Sequence, residues 1–392
     1  MVLTSQRQYL EIMMPELNDK PLLTFAVVSC NQEQFVREAV EAAFAQTYSP
    51  LEIILSDDCS DDRSFEIMRR MAGAHRGPHQ VVLNRNPVRK IMGGHINKVV
   101  EISHGELIVI AAADDVSLPQ RTQVAYEVWE KSGRRATSIY SDFIQVDDRG
   151  RTIPHLFEFE QRKLCGQGQS VRLPVSSLDY VQTLEPTVHG CAHIISPRLY
   201  QLFGNLPDQV VYEDKVLAFR SILAGEVVYI NESLVKYRLH QANMHKYVSG
   251  GSGGTNLKSL EWQENLLQRH FRNLEIMYQT FLLDLEKAKQ QRLFEGADCE
   301  KTVKMADRKR RHFALMGEFL ESGLFRKCRI LLQLQKIGLN KEDHRILVRR
   351  LIPRSLLLRI RLAVAATPFR RRAGCSNSNG NNQSRGDQIT AG

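Results

Sequence analysis

Apolar runs alternate with amphipathic stretches along the first third of the chain. Four runs are almost continuously apolar and rich in β-branched residues, which is typical of strands that are buried on both faces. Between the first two, residues 33–46 place their apolar side chains on one helical face. This alternation predicts an α/β fold with a mostly parallel sheet covered by helices on both sides. The four runs are residues 22–29, 51–56, 81–84 and 106–113.

The pattern after residue 113 divides the rest of the chain into regions. Residues 136–147 and 226–240 predict two further strands, and residues 249–256 are mostly Gly and Ser, which is typical of a flexible boundary. A helical pattern then continues to about residue 350. We expect an N-terminal extension at 1–20, an α/β domain at 21–248, a Gly/Ser linker at 249–256, a helical basic region at 257–372 and a disordered tail at 373–392.

The net charge of +9 is unevenly distributed. Residues 301–392 hold 21 Lys and Arg against 6 Asp and Glu, whereas the first 300 residues hold 32 against 38. We therefore expect a chemical site in the mildly acidic part and an anion-seeking surface in the basic part.

Cysteine usage and hydropathy indicate the compartment. The seven Cys form no Cys-x-x-Cys pair, which suits neither a disulfide framework nor a zinc site. No apolar run reaches the roughly 18 residues of a membrane-spanning helix, and the N-terminus lacks the pattern of a secretion signal. The expected location is the cytoplasm, with a peripheral position at the inner face of the cell membrane as an open alternative.

Polar side chains follow three of the predicted strands at the point where each strand ends. In parallel α/β sheets, ligands bind at the carboxyl ends of the strands. One acidic pair after a strand is more often a helix cap or a solvated turn, but two such pairs in one sheet favour a binding site. The three clusters are Ser29-Cys30-Asn31, Asp57-Asp58 and Asp114-Asp115.

Four segments of the chain carry a family resemblance. They are SCNQEQF…SDDCSDD (29–62), GELIVIAAADDVSLPQR (105–121), VYEDKVLAFRSILAG (211–225) and VKYRLHQAN (235–243). In this order and spacing they resemble the motifs of a family 2 glycosyltransferase. The resemblance implies a GT-A fold and the transfer of a sugar, with inversion, from a nucleotide-diphosphate sugar.

The resemblance also implies which residues hold the nucleotide. Asp57 matches the residue that accepts a hydrogen bond from the base. An ionised carboxylate only accepts hydrogen bonds, which suits the imide N–H of uracil, so a UDP-sugar is the expected donor. Asp58 and Asp62 are equally well explained by bracing of the turn. The residues that match the first motif are Ser29, Asn31 and Glu33.

The fourth predicted strand ends where the family has its metal-binding acids. Asp114 matches the acid that coordinates a divalent cation, Mg²⁺ or Mn²⁺, on the diphosphate. His240 is implied either as a second metal ligand or as a contact of the diphosphate, although a lone His after a strand is more often structural. The first acid of this motif is replaced by Ala112, but Mg²⁺ often takes one or two carboxylates together with phosphate oxygens and waters. Asp115 is a further candidate contact for the nucleotide sugar, with a hydrogen bond inside the following turn as the alternative.

The pair Glu213-Asp214 matches the catalytic acids of the family. Asp214 would be the general base, because an attacking sugar hydroxyl needs its proton accepted as the new bond forms. The pair opens a predicted helix, where the macrodipole favours ionised carboxylates. Acids are common at this position in any helix, so only the resemblance favours catalysis.

Several basic and small residues complete the implied site. Arg89 and Lys90 precede a Gly-Gly helix entry, and Arg238 lies in the last motif; all three are candidate contacts of the diphosphate, although exposed cations in loops are usually only solvated. The residues that fall where the acceptor would bind are His189, Gly190 and His193.

The function implied by the resemblance is glycosyl transfer to a hydroxyl of a saccharide or of a lipid-linked acceptor, in surface polysaccharide biosynthesis. A non-catalytic scaffold protein that binds sugar nucleotides is the alternative, suggested by Ala112. A nucleotidyltransferase is less consistent, because the loop CNQEQF has no Gly after the first strand.

The segment 349–372 places eight Arg around runs of Leu, Ile, Val and Ala. This pattern is typical of an interfacial helix on an anionic membrane surface. A helical subdomain that packs on the enzyme or on a partner is an equally good interpretation. Nucleic-acid binding is not expected, because aromatic residues are few and no known binding module is present.

Overall fold

The computed structural model describes residues 20–154, 160–240 and 257–351. Its centre is a mixed, mostly parallel sheet of nine strands in the order β3-β2-β1-β4-β8-β6-β9-β5, with β7 paired to β9. The strands are β1 (Leu23–Ser29), β2 (Leu51–Asp57), β3 (Gln80–Arg85), β4 (Ile108–Ala112), β5 (Val116–Ser117), β6 (Ala136–Val146), β7 (Ser170–Arg172), β8 (His193–Ile195) and β9 (Glu226–Arg238).

Helices cover the sheet and continue into the C-terminal region, as the pattern of the sequence predicts. They are α1 (Val36–Phe44), α2 (Ser64–Ala74), α3 (Ile91–Ile102), α4 (Arg121–Lys131), α5 (Ser177–Thr183), α6 (Arg198–Phe203), α7 (Glu213–Ala224), α8 (Leu257–Gln290), α9 (Ala297–Glu321), α10 (Leu324–Ile337) and α11 (Lys341–Leu351). The predicted α/β class with a helical C-terminal region, as in a GT-A domain, is confirmed.

Strand β1 lies between two parallel partners. Ser29 is paired in register with Asp57 of β2, and Val28 is paired with Ala112 of β4. The three strands therefore end at one edge of the sheet, which is the edge where parallel α/β folds bind ligands. This register brings together the loops that follow β1, β2 and β4.

The core lies on both faces of the sheet. All seven residues of β1 are buried, and so are those of β2. Along β1, Phe25 and Val27 join one apolar cluster, whereas Ala26 and Val28 join the other. Side chains alternate between the faces of a strand, so a strand with helices on both sides must be apolar throughout.

The C-terminal helices share the core of the sheet domain. Met277, Tyr278 and Phe281 of α8 are buried in the same cluster as Phe219 of α7. The rings of Phe219 and Phe281 lie 4.2 Å apart. A single apolar cluster therefore extends from the sheet to α11.

Some expectations concern residues outside the described ranges. The expected linker at 249–256, the N-terminal extension up to residue 19, and the tail lie there, and so does nearly all of the segment 349–372. Among the helices in the described ranges, none has the length and hydropathy needed to cross a membrane.

Candidate active site

The loop after β1 is joined to the turn after β2 by a series of hydrogen bonds. The backbone N–H of Asn31 donates to Ser60 Oγ at 2.8 Å, and Asn31 Oδ1 accepts from the backbone of Asp61 at 2.9 Å. The backbone N–H of Glu33 donates to the Asp62 carboxylate at 3.0 Å. Asn31 has a positive φ of 55°, a conformation that Asn tolerates better than most residues. The two loops therefore form one rigid unit at the sheet edge.

Asp57 lies at this edge but is fully enclosed. Its side chain is 0% exposed. One carboxylate oxygen accepts from the backbone of Ser60 at 2.9 Å and the other from Ser60 Oγ at 2.5 Å, while Arg85 Nε lies 3.6 Å away. A ligand cannot reach these oxygens without displacing Ser60 or Arg85. The predicted contact between Asp57 and the base would require Ser60 or Arg85 to move, and it stays a prediction.

Asp58 and Asp62 brace the turn, which is one of the two interpretations the sequence left open. Both oxygens of Asp58 accept from the backbone N–H of Lys90, at 2.9 and 3.1 Å, and Oδ1 also accepts from Asn86 at 2.8 Å. Asp62 also accepts from the backbone of Ser64, at the start of α2. These carboxylates hold the loops that surround the site.

Ser29, the last residue of β1, is also almost inaccessible. It is 2% exposed, and its hydroxyl has no hydrogen-bond partner among the described residues. Only its backbone can contribute to a site. The Glu33 carboxylate accepts from Arg63 at 3.2 Å and lies at the surface.

Arg89 and Lys90 lie at the rim of the same unit. Arg89 donates to Asp61 at 2.9 Å and to the carbonyl of Cys59 at 3.0 Å, and its side chain is half-exposed. Lys90 is held through its backbone N–H, which donates to Asp58. Its ammonium group makes no hydrogen bond or ion pair with the described residues. Both cations are placed where an anionic ligand at the strand ends could meet them.

Asp114 and His240 meet although 126 residues separate them. Strand β5 carries the chain from Asp114 to an antiparallel pairing with β9, in which Val116 lies opposite Lys236. As a result, His240 Nε2 lies 3.0 Å from Asp114 Oδ2. Gln32 Nε2 lies 3.4 Å from the same oxygen. The sequence pattern did not indicate the two-residue strand β5.

Arg238 supports Asp114 rather than facing a ligand. The side chain is 2% exposed. Its Nε donates to the carbonyl of Asp114 at 2.9 Å, and its other nitrogens donate to the carbonyl of Asp148 and the carboxylate of Glu38. The predicted contact between Arg238 and a diphosphate is therefore not supported, because protein acceptors occupy the guanidinium group.

Asp115 is buried and points into the sheet. Its Oδ1 accepts a hydrogen bond from the backbone of Arg238 at 2.8 Å. Burial, and next the negative charge of Asp114, raise the pKa of Asp115 well above its usual value. The structure thus argues against a contact between Asp115 and the donor, and the hydrogen bond it makes is to β9 rather than to the following turn.

The pair Glu213-Asp214 opens helix α7. Glu213 is buried, and burial together with the charge of Asp214 raises its pKa well above the usual value, which favours the neutral form. Asp214 is half-buried, and one of its oxygens accepts from the backbone of Lys215 at 2.7 Å. The two carboxyl groups therefore have different environments, which is a common basis for dividing two chemical roles.

A short turn at Gly190–Ala192 lies between the two acidic positions. A Cβ on Gly190 would lie 3.1 Å from Glu213 Oε1 and 3.8 Å from Asp214 Cβ, so the absence of a side chain permits this close approach. Burial raises the pKa of the Cys191 thiol, and the charges of Asp115, Asp114 and Asp214 raise it further. The turn that contains Cys191 also packs against β4, the strand that Asp114 follows.

The residues predicted to bind the sugar acceptor lie in different surroundings in the structure. His189 packs against Phe143 with ring centroids 5.1 Å apart, next to Gly190. His193 is buried within β8, where its Nε2 meets Ser138 Oγ. Burial, with a smaller effect from Arg121, lowers the pKa of His193 to about 3. His193 belongs to the core, so its predicted place in the acceptor pocket is wrong.

Three residues close to the acids were not identified from the sequence. Gln32 reaches Asp114, and Phe35 packs on His240 with ring centroids 4.7 Å apart. Cys191 belongs to the turn that packs against β4 and, through Gly190, approaches Glu213 and Asp214. Phe35 and Gln32 follow β1 in the loop CNQEQF, so their position after a strand was the available signal. No pattern in the sequence marked Cys191.

Asp114 and His240 are suited to hold a divalent cation together with phosphate oxygens. Within the described ranges, no group of three or more His, Cys, Asp and Glu is arranged around a common metal position. A site completed by a diphosphate needs only one or two protein ligands. Asp114 Oδ1 accepts no hydrogen bond from the described residues, and a carboxylate with an imidazole is a donor set that Mn²⁺ accepts.

Comparison with known proteins places this site in context. Residues 24–185 match the family model described as Glycosyl transferase family 2. The chain is 23% identical over 223 residues to an uncharacterised glycosyltransferase of Rickettsia typhi, which covers 57% of this chain and 65% of the relative. It is 25% identical over 150 residues to the succinoglycan biosynthesis protein ExoO of Rhizobium meliloti, covering 38% and 41%. Each match spans less than two thirds of the relative.

A solved structure with a similar fold is S. aureus TarS 1-349 in complex with UDP-GlcNAc. It aligns with a TM-score of 0.47 at 12% sequence identity, over 82% of this chain and 91% of TarS.

Proposed function

We propose that this chain, which belongs to glycosyltransferase family 2 through residues 24–185, is an inverting glycosyltransferase. It moves a sugar from a nucleotide-diphosphate sugar, with a UDP-sugar as the expected donor, to a hydroxyl group of a saccharide or lipid-linked acceptor. Surface polysaccharide biosynthesis is the proposed setting, which the similarity to ExoO supports.

The observation that carries the proposal is the position of Cys191. Its turn, Gly190–Ala192, packs against β4, the strand that Asp114 follows, and places Gly190 beside Glu213 and Asp214. Asp114 follows β4, and Asp214 opens α7 about 100 residues later. Two acids that the fold brings to opposite sides of one short turn can serve one reaction centre.

The proposed reaction is a single displacement at the anomeric carbon. The oxygen of the acceptor forms a bond to C1 while the bond between C1 and the diphosphate oxygen breaks, and the configuration at C1 is inverted. Asp214 accepts the proton of the acceptor hydroxyl, since a half-buried carboxylate at the start of a helix can receive it. The diphosphate leaves with the bonding electrons.

Glu213 has a different part in this proposal. Its raised pKa favours the protonated form, which donates a hydrogen bond rather than accepting a proton. Because Glu213 Oε1 is also within reach of Gly190, we assign it the positioning of the turn that faces Asp214. Asp214 is then the residue of the pair that acts as the base.

Asp114 and His240 would hold a divalent cation, Mg²⁺ or Mn²⁺, at the end of β4. When bound, the cation would offset the negative charge that develops on the departing diphosphate. Arg89 and Lys90, at the rim of the site, supply further positive charge from the protein. Gln32 and Arg238 keep Asp114 in place through its side chain and its carbonyl, respectively.

The first experiment replaces the proposed base. Asp214→Asn keeps the shape of the side chain but removes the proton acceptor, so we expect turnover to fall by about 10²–10⁴-fold. Donor binding, measured by calorimetry with a panel of sugar nucleotides in the presence of Mn²⁺, should be retained. The matched control is Asp298→Asn, because Asp298 also lies in the first turn of a helix but belongs to α9.

Two results would contradict the proposal in different ways. Wild-type turnover in Asp214→Asn would exclude Asp214 as the base. A wild-type chain that binds a sugar nucleotide, but neither transfers nor hydrolyses it with any acceptor or cation, would favour the non-catalytic scaffold protein. Equal losses in Asp214→Asn and Asp298→Asn would indicate a general effect of the substitution.

A further inference from the structure

Helix α10 (Leu324–Ile337) has one face in the core and one face in solvent. Ile330 and Leu334 are 2% and 0% exposed and belong to the main apolar cluster. On the opposite face, Phe325 is 95% exposed and Leu332 is 61% exposed. These two residues are seven positions apart, so they lie on the same side of the helix. Leu324, 64% exposed, extends the apolar surface at the start of the helix.

The same helix is strongly basic. Residues 324–337 contain four Lys and Arg and no Asp or Glu. Two of the cations are engaged by the protein: Arg326 pairs with Glu318 at 2.7 Å, and Lys327 donates to the carbonyl of Arg350. Arg329 and Lys336 are exposed and make no ion pair with any described residue. They flank Leu332 on the outer side of the helix.

The next helix also carries an exposed apolar side chain. Val348 of α11 (Lys341–Leu351) is 56% exposed, so it adds a further apolar side chain. After Leu351 the sequence carries six more Arg up to residue 372, set among Leu, Ile, Val and Ala. Basic and apolar residues therefore remain interleaved over about 50 consecutive positions of the chain.

We propose that the outer face of α10, formed by Phe325, Arg329, Leu332 and Lys336, docks on an anionic lipid bilayer. Aromatic and aliphatic side chains between Lys and Arg suit the boundary between head groups and acyl chains. The cations meet the negative surface potential of anionic lipids. A second copy of this chain is a poorer occupant, because a two-fold contact across this face would bring its cations, Arg329 and Lys336, against the same two cations of the other copy.

Vesicle flotation of the full chain tests this surface. The probes are vesicles of phosphatidylcholine alone and of an equal mixture with phosphatidylglycerol. The wild-type chain is expected to float only with the anionic vesicles. In Arg329→Gln/Lys336→Gln, the partition coefficient should fall by about fivefold for each cation removed. In Phe325→Ser/Leu332→Ser, it should fall by at least tenfold, since both apolar anchors are lost.

Matched controls separate this surface from a general effect of exposed residues. Leu164→Ser removes an apolar side chain that is 55% exposed, and Lys301→Gln removes an exposed cation of α9. Both control variants should float like the wild-type chain. Circular dichroism should show the same thermal unfolding for all variants, because the substituted side chains lie in solvent.

Three results would overturn the proposal. The first is a wild-type chain that does not float with anionic vesicles, and the second is flotation of Phe325→Ser/Leu332→Ser at the wild-type level. The third is a change in molar mass with this variant, measured by light scattering, which would assign the face to self-association. Donor hydrolysis without vesicles should stay unchanged in these variants, so the test is independent of the proposed reaction.

Discussion

At the scale of single residues, Asp114 is held by a group of neighbouring side chains. Arg238 donates to its carbonyl, and His240 lies against its carboxylate. Phe35 joins the two, since its ring lies 4.7 Å from the His240 ring and 4.9 Å from the Arg238 guanidinium carbon. Ligand orientation by such supporting residues commonly decides metal affinity. Phe35 is thus a positioning residue for the proposed cation site.

Phe35→Leu is expected to weaken Mn²⁺ binding in the presence of donor by about tenfold, because His240 loses the ring that orients it. Calorimetric titration of Mn²⁺ measures this effect. Phe44→Leu is the control, since Phe44 packs on His75 at 4.1 Å in the same manner but outside the site. Equal Mn²⁺ affinities in the two variants would exclude the positioning role.

The lowered pKa of His193 predicts how the stability of the folded chain depends on pH. Its pKa is lowered to about 3 by burial, while an unfolded His titrates near 6.5. Between these values the unfolded chain binds the additional proton, so stability rises with pH and falls on acidification. Lowering the pH from 7 to 5 should reduce the free energy of unfolding by about 2 kcal/mol through this group alone.

His193→Gln should therefore lose about 2 kcal/mol less stability than the wild-type chain over this interval, measured by urea unfolding at both pH values. The exposed His344 supplies the control, and His344→Gln should show the wild-type dependence. A pH dependence that is identical in His193→Gln and wild type would contradict the assignment.

The sequence predicted some of these residues and not others. Asp114 and Asp214 could be identified from the sequence because each lies in a motif, and the order of these motifs along the chain resembles that of the family. The enclosure of Asp57 was not, because Ser60 and Arg85 act on it only after the strands have paired. Likewise, Arg238 resembled a diphosphate ligand until its acceptors, which come from distant parts of the chain, were known.

At the scale of elements, long apolar strands and amphipathic helices followed from periodicity. The short strands did not, since two or three residues carry too little pattern to be recognised. This matters for the site, because the two-residue strand β5 pairs with β9 and thereby brings Asp114 to His240. Strand β7 and helix α5 are likewise short elements that the periodicity did not indicate.

A buried ion pair joins helices α7 and α8. Arg220 and Asp284 are each 1% exposed, with Arg220 Nε 2.9 Å from Asp284 Oδ2. Arg220→Met leaves the Asp284 carboxyl buried without its partner, so we expect a loss of about 3–5 kcal/mol in the free energy of unfolding. Urea unfolding measures the loss.

Two comparisons make this test specific. Arg134→Met removes an exposed partner of Glu130 and should cost less than about 1 kcal/mol. Arg220→Met/Asp284→Leu should recover part of the loss, because no unpaired charge remains. A double variant that is less stable than Arg220→Met would show that the pair has another role.

At the scale of the whole molecule, one core unites regions that the sequence suggested were separate domains. Buried residues of α8, among them Met277, Tyr278 and Phe281, cover the same cluster as helix α7. The predicted fold is confirmed, and residues 24–185 match the model of the predicted family, while the proposed boundary at 249–256 remains a prediction. The distribution of charge separates the sheet domain from the C-terminal region more clearly than the packing does, since the basic residues concentrate after residue 300.

A chain that ends at residue 248 should therefore fail to unfold cooperatively, because it lacks the helices that bury Phe219. A chain that ends at residue 351 retains them and should unfold like the full chain. Circular dichroism during thermal unfolding distinguishes the two. Cooperative unfolding of the shorter chain would show that the sheet domain is independent.

The ion pair between Arg220 and Asp284 also has a consequence for biosynthesis. The acidic pair Glu213-Asp214 leaves the ribosome on the nascent polypeptide well before Asp284 does. Until then Arg220, near the far end of α7, has the carbonyl of Gly204 as an acceptor but no carboxylate partner. The proposed reaction centre would thus gain the support of this ion pair only late in translation.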